Sequence, residues 1–247
     1  MFQKVVKERQ AGEDEPLRLD LVPECVWCND SIQPPLSGDV FHIWMQEFTT
    51  LHFNPFWFGC LDSKEQSDAM EYATRELHER YVAAHFFVRK VLGTYLSCAP
   101  ENVELCREEC GKPMIKGRPC EFSVTHTDKR VLVAVSANKV VGIDAEETGY
   151  IPEWELIANR WFSKEEVEWI SEQGDTSEAF MRCWVCREAV LKAHGAGLSL
   201  PLESLRMPPP SSNMTVMCSQ EQFKVNELTV QCPSALAQWV GALAYCL

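Results

Sequence analysis

The sequence predicts an α+β protein of two lobes, and three observations carry that prediction. From Asp68 to Tyr95 the apolar positions Met70, Ala73, Leu77, Tyr81, Ala84, Val88 and Val91 follow steps of three and four, the period of a long amphipathic helix. Short segments of strand character come next, at Glu121–Thr127, Val131–Ser136 and Lys139–Glu146. Helical patterns then return at Ser163 to about Ser171 and at Ser177–His194, before strand candidates at Met214–Cys218, Phe223–Cys232 and Ala237–Cys246. This order places a joint between two α+β lobes near residue 138.

Each element has local signals. Asp68 with Glu71 makes a capping start for the long helix, and Gly93 frays its end. Ser163 and Glu166 form a capping box, so the likeliest single role of Glu166 is to hold a helix start. Gly195 closes the helix that begins at Ser177. Residues 1–38 are acidic and polar, contain Pro16, Pro23, Pro34 and Pro35 and show no sustained period. They read as an N-terminal extension, with lobes at 39–138 and 139–247.

Composition narrows the function classes. With 23 basic and 36 acidic side chains the formal charge is −13, which disfavours nucleic acid and anionic membrane surfaces as partners. Any anionic ligand must meet a local basic cluster. No long apolar run and no signal-like start is present, so a cytoplasmic location is the default expectation. Twelve cysteines in such a chain read as reduced thiols. Cys25 with Cys28 and Cys106 with Cys110 could together make a zinc site.

Two constellations carry chemistry. Alternation along Lys139–Glu146 puts Gly142, Asp144 and Glu146 on one side and Val141, Ile143 and Ala145 on the other. Two carboxylates side by side could hold magnesium with substrate phosphates completing the shell. Acidic strand ends are common, and on this motif alone a solvated end is the commoner outcome. Glu188 shifts that weight, because it lies inside the apolar stripe of Phe180, Met181, Trp184, Val185 and Leu191. A pair with Lys192 one turn on would contribute only about 0.2–0.5 kcal/mol, too little to offset burial of a carboxylate. A metal ligand or catalytic base explains Glu188 better. His126, after a short strand, and Lys112, in a Gly-Lys-Pro turn, are weaker candidates that most often prove structural or exposed.

Taken together, Gly111-Lys112-Pro113, FSVTHT at 122–127, VGIDAEE at 141–147, RWFSKEE at 160–166 and WVCREAVLKAHGAGLSLPL at 184–202 resemble, in order, the 4′-phosphopantetheinyl transferase superfamily in its surfactin-synthetase-activating, monomeric branch. The resemblance implies two similar α/β lobes related by a pseudo-twofold, with coenzyme A in the cleft between them. It implies that Asp144, Glu146 and Glu188 hold Mg2+, with Mn2+ as a substitute, and that Glu188 helps to deprotonate a carrier serine. It matches Lys192 to the pyrophosphate, Lys112, Thr125 and His126 to contacts with the coenzyme's phosphates, and Arg80 to the 3′-phosphate. The sequence departs from the family at Ser123, where relatives have Asn, at Thr125, where they have Ser, and at Arg187, where they have Lys.

The implied activity is transfer of phosphopantetheine from coenzyme A to an acyl or peptidyl carrier protein by a monomer, as in a holo-[acyl-carrier-protein] synthase. The strong negative charge favours a less acidic peptide-synthetase or polyketide carrier. The rival readings are a coenzyme A-binding module without transfer, which should lack one of the three acids, and a zinc-stabilised interaction protein.

Overall fold

The computed structural model describes residues 24–30, 33, 35–38, 40–48, 52–108, 111–195, 205, 207–210, 214–218, 221–228 and 239–246. Two four-stranded sheets organise them. In the first, β1 (Glu24–Cys28) pairs parallel with β2 (Val40–Glu47), which is followed by β6 (Arg130–Ser136) and β5 (Glu121–His126) in antiparallel order. In the second, β7 (Val141–Glu147) pairs antiparallel with β10 (Trp239–Cys246), then come β9 (Glu221–Leu228) and β8 (Met214–Cys218). A small hairpin joins β3 (Leu105–Arg107) to β4 (Pro113–Ile115).

The period-2 alternation of the strands explains how the sheets stack. Leu132 and Ala134 of β6 meet Ile143 and Ala145 of β7 in one core between the sheets. Their neighbours Val131, Val133 and Val135 point outward beneath Val88, Val91 and Leu92 of α2 (Arg75–Leu96). The second sheet presents Ala242, Ala244, Phe223 and Val225 to Val185, Ala189 and Val190 of α5 (Thr176–His194). Each sheet therefore carries one long helix on its outer face.

Gly142 permits the closest of these contacts. A Cβ there would lie 2.0 Å from the Ala189 carbonyl oxygen and 2.4 Å from the Ala193 nitrogen. Only a residue without a side chain lets α5 rest on β7 at this distance.

Several expectations need correction. The periodic run from Asp68 is two helices, α1 (Ser63–Met70) and α2, separated at residues 71–74. Asp62 and Glu65 supply the capping box of α1, and the Thr74 hydroxyl caps α2 by accepting from the Leu77 N–H. Periodicity bridged the gap because Met70, which is 70 % exposed, fell by chance on the apolar rhythm. Gly93 does not fray α2. A Cβ there would lie 2.6 Å from the Cys98 carbonyl oxygen, so the glycine makes room for the returning chain after Ser97, at φ 53°.

Residues 24–28, read as part of an extension, form β1. That strand also removes the zinc arrangement. Cys25 points into the core between the sheets while Cys28 points to the α2 side, because residues three apart on a strand face opposite ways. Burial pushes both thiols up to about 11, the opposite of what a thiolate ligand needs. The Cys106 thiol is directed to the Met114 carbonyl at 3.6 Å, and Cys110 lies outside the described residues, as do parts of the strand candidates after residue 228. No helix among the described residues is long and apolar enough to cross a membrane.

α4 (Lys164–Ser171) starts on the expected capping box, with Ser163 and Glu166 bonded reciprocally. α3 (Trp154–Trp161) precedes it and had no clear signal in the sequence. Asp175 caps α5, which ends at Gly195 with φ 82°.

Candidate active site

The edge strands β5 and β7 meet at a seam between the two sheets, and side chains cross it. The Ser123 hydroxyl accepts from the Ile143 N–H at 3.1 Å. Two residues further along β5, the Thr125 hydroxyl donates to Asp144 Oδ1 at 2.9 Å. Lys192 reaches down from α5 to the same oxygen at 2.7 Å and to the Val124 carbonyl at 3.3 Å. The cation therefore bridges helix and both strands, rather than pairing with Glu188 along its own helix.

Asp144 is 4 % exposed, and its buried Oδ2 has no hydrogen-bond partner among the described residues. A buried anionic oxygen left unsatisfied is costly unless a cation arrives. Glu146 and Glu188 stand close enough to feel it. Burial first, and then the charge of Asp144, push both carboxyl groups above the usual carboxylate range. Among the described residues no three His, Cys, Asp or Glu are gathered tightly enough to hold a metal by themselves. Magnesium needs no such cluster, because it completes its octahedron with phosphate oxygens and water. The orphaned Asp144 oxygen and the mutual repulsion of the acids fit such an ion.

Beyond the seam lies a cavity of about 770 Å³. β7 contributes Glu146 and Glu147 to its wall, β5 contributes Val124 and His126, and α2 contributes Arg80, Tyr81 and His85. This volume is in the range of cofactor-sized ligands. Arg80 is held at the rim by Asp128, which accepts through its carbonyl at 2.8 Å and its carboxylate at 3.1 Å. Burial, followed by the neighbouring Lys192 and His85 charges, lowers the His126 pKa and keeps that imidazole neutral near pH 7.

The structure thus brings Arg80, His126 and Glu146 to one cavity and gathers Thr125, Asp144, Glu188 and Lys192 at the adjoining seam. Lys112 is placed elsewhere. Its ammonium donates to the Val141 and Ala193 carbonyls, each at 3.2 Å, where it ties the start of β7 to the C-terminal end of α5. Arg107 and Lys64 also line the cavity, and sequence reasoning gave Arg107 no role because a three-residue strand has too little pattern to read.

Arg187 lies next to Glu188 in the chain but points the other way. It is fully buried, and its guanidinium binds both Glu166 oxygens, at 2.9 and 2.7 Å, and the Leu205 carbonyl. Glu166 therefore has two duties, as helix cap and as anchor for α5.

Residues 140–242 match the 4′-phosphopantetheinyl transferase superfamily. Over that span the chain is similar to that superfamily. It is 32 % identical to the 4′-phosphopantetheinyl transferase HetI of Nostoc sp. over 56 % of this chain and 61 % of that one. It is 29 % identical to the transferase gsp of Aneurinibacillus migulanus over 69 % of this chain and 70 % of the relative. With Sfp of Bacillus subtilis the identity is 26 %, over 67 % and 74 % of the two chains. The match therefore spans about three fifths of HetI and rather more of the other two. The family match at 140–242 takes in β7, α5 and the start of β10, so it holds Asp144, Glu146, Glu188 and Lys192 but not β5 on the other side of the seam.

Proposed function

We propose that the chain transfers 4′-phosphopantetheine from coenzyme A to a serine of an acyl or peptidyl carrier protein and releases 3′,5′-ADP, as a monomeric, cytoplasmic enzyme of holo-[acyl-carrier-protein] synthase type. The observation that carries this reading is the buried, half-satisfied Asp144 at a seam shared with Glu146, Glu188 and Lys192, beside a cavity of cofactor size.

The coenzyme lies in this cavity, which the first lobe lines together with Glu146 and Glu147 of the second, in a pair of lobes that we read as related by a pseudo-twofold. Arg80 takes the 3′-phosphate end, having only the exposed Asp128 to give up. His126 donates a hydrogen bond from its neutral ring to a phosphate oxygen, and the Thr125 hydroxyl supports the same contacts. Asp144, Glu146 and Glu188 would hold Mg2+ or Mn2+. When bound, the ion neutralises charge on the pyrophosphate. Lys192 turns from Asp144 towards the bridging oxygen as the coenzyme arrives and stabilises negative charge as the P–O bond breaks. Glu188, half-buried beside Asp144, accepts the proton of the attacking serine. Lys112 supports this arrangement from behind by fixing β7 against α5.

All three acids are present, which favours an enzyme over a binding module that has lost transfer. The test is chromatographic detection of 3′,5′-ADP after incubation with coenzyme A, magnesium and an apo carrier. Release that requires both metal and carrier supports the reading; coenzyme that stays intact with every class of carrier contradicts it.

A further inference from the structure

The turn between β5 and β6 grips the second sheet through a cluster that the proposed chemistry does not use. Thr127 opens the turn, and its hydroxyl accepts from the Lys129 and Arg130 N–H groups at 3.1 and 3.3 Å. The same hydroxyl donates to Glu147 Oε1 at 2.9 Å, across to the end of β7. Arg130 is 1 % exposed, and its guanidinium stands 3.3 Å from Glu147, 3.8 Å from Glu47 and 5.2 Å above the ring of Trp239. Trp239 is the residue opposite Glu147 in the β10–β7 ladder.

Burying an arginine this fully is costly unless it is paired and hydrogen-bonded. Among the described residues its Nε and Nη1 have no hydrogen-bond partner and Glu147 Oε2 has only the Lys129 ammonium at 3.6 Å, so the pair is held by charge and shape rather than by a closed fork. What the cluster does fix is the last residue of β7, the immediate neighbour of Glu146, relative to the turn that carries His126 and, through Asp128, Arg80.

We propose that Arg130, acting through Glu147, is a positioning residue that sets where Glu146 stands relative to the phosphate-binding side of the cavity. The proposal rests on the transferase reading given above. With the grip loosened, Glu146 must be ordered when the cation binds, so cation affinity suffers while the metal-free cavity is little changed.

Calorimetric titration tests this with no need for turnover. Magnesium is titrated into the full chain saturated with coenzyme A, and coenzyme A is titrated separately into metal-free protein. Arg130→Lys keeps the charge but not the planar fork, and should weaken magnesium binding about tenfold while metal-free coenzyme affinity stays within about twofold. Glu147→Gln, which keeps the shape and the Thr127 contact, should move the same quantity in the same direction and serves if Arg130→Lys fails to fold. Unchanged magnesium affinity in a folded variant overturns the proposal, and so does an equal loss in both titrations, which would mark a merely structural pair. Wild-type protein that binds neither ligand would instead overturn the functional reading, and the proposal with it.

Discussion

Replacing Gly142 by alanine tests whether the close seat of α5 on β7 builds the site. The added Cβ would stand 2.0 Å from the Ala189 carbonyl oxygen and 2.4 Å from the Ala193 nitrogen, both backbone atoms that cannot rotate away. Restoring ordinary contact requires the helix to withdraw by about 1 Å or more, against a core that includes Val185, Val190, Ala242 and Ala244. Overpacking of this kind costs about 1–3 kcal/mol, and a clash of backbone with backbone belongs at the upper end. For a chain of this size about 3 kcal/mol lowers Tm by about 6–12 °C. The same withdrawal pulls Lys192 from Asp144, now at 2.7 Å, so activity should fall even at temperatures where the variant is folded. Differential scanning calorimetry and the 3′,5′-ADP assay measure the two effects. A variant that melts within 1 or 2 °C of wild type (about half a kcal/mol) and keeps its rate would refute the reasoning.

Glu188→Gln should lower turnover by about 10²–10⁴-fold, since it removes the base, while Tm stays level or rises slightly because a desolvated charge disappears; a wild-type rate would exclude the proposed role. Arg187→Met leaves Glu166 as a buried, uncompensated carboxylate and should cost about 3–5 kcal/mol in urea denaturation, with much of that recovered in the double variant Arg187→Met/Glu166→Gln. If the double variant is no more stable than the single one, the buried pair is not what matters there. Acid should loosen the first lobe through Glu65. Burial alone would raise its carboxyl, but hydrogen bonds from His85, the Asp62 N–H and Arg89 outweigh burial and hold it below its ordinary value of 4.5. A depressed carboxyl contributes stability that is present above 4.5 and is lost as pH falls through its lower folded value. Urea midpoints of wild type should therefore fall more steeply below that pH than those of Glu65→Gln, and parallel curves would contradict the assignment.

Much of this site was legible in the sequence because short-range rules decide it. Strand alternation alone put Gly142, Asp144 and Glu146 on one face and Ile143 and Ala145 on the other, and the structure has that arrangement. Helical rotation placed Glu188 inside an apolar stripe, and the structure half-buries it beside Asp144. What remained hidden depends on contacts distant in sequence. The partner of Lys192 is Asp144 on another element, not the glutamate one turn away. Lys112 looked like a ligand-facing turn residue, yet its stem runs beneath Gly195 to two backbone carbonyls. The latch of Thr127, Arg130 and Glu147 joins two sheets, and no local pattern announces it. The break between α1 and α2 escaped for the opposite reason: an apolar rhythm continued by chance through the Thr74 cap.

Intact-mass spectrometry of apo carrier proteins tests the central claim most directly. Peptide-synthetase, polyketide and fatty-acid carriers would each be incubated with this protein, coenzyme A and magnesium, with chelator controls. The account predicts a metal-dependent gain of one phosphopantetheine on at least one carrier, lost when its acceptor serine is replaced by alanine. No gain on any carrier, from protein that still binds coenzyme A, would contradict it and leave a binding module in its place.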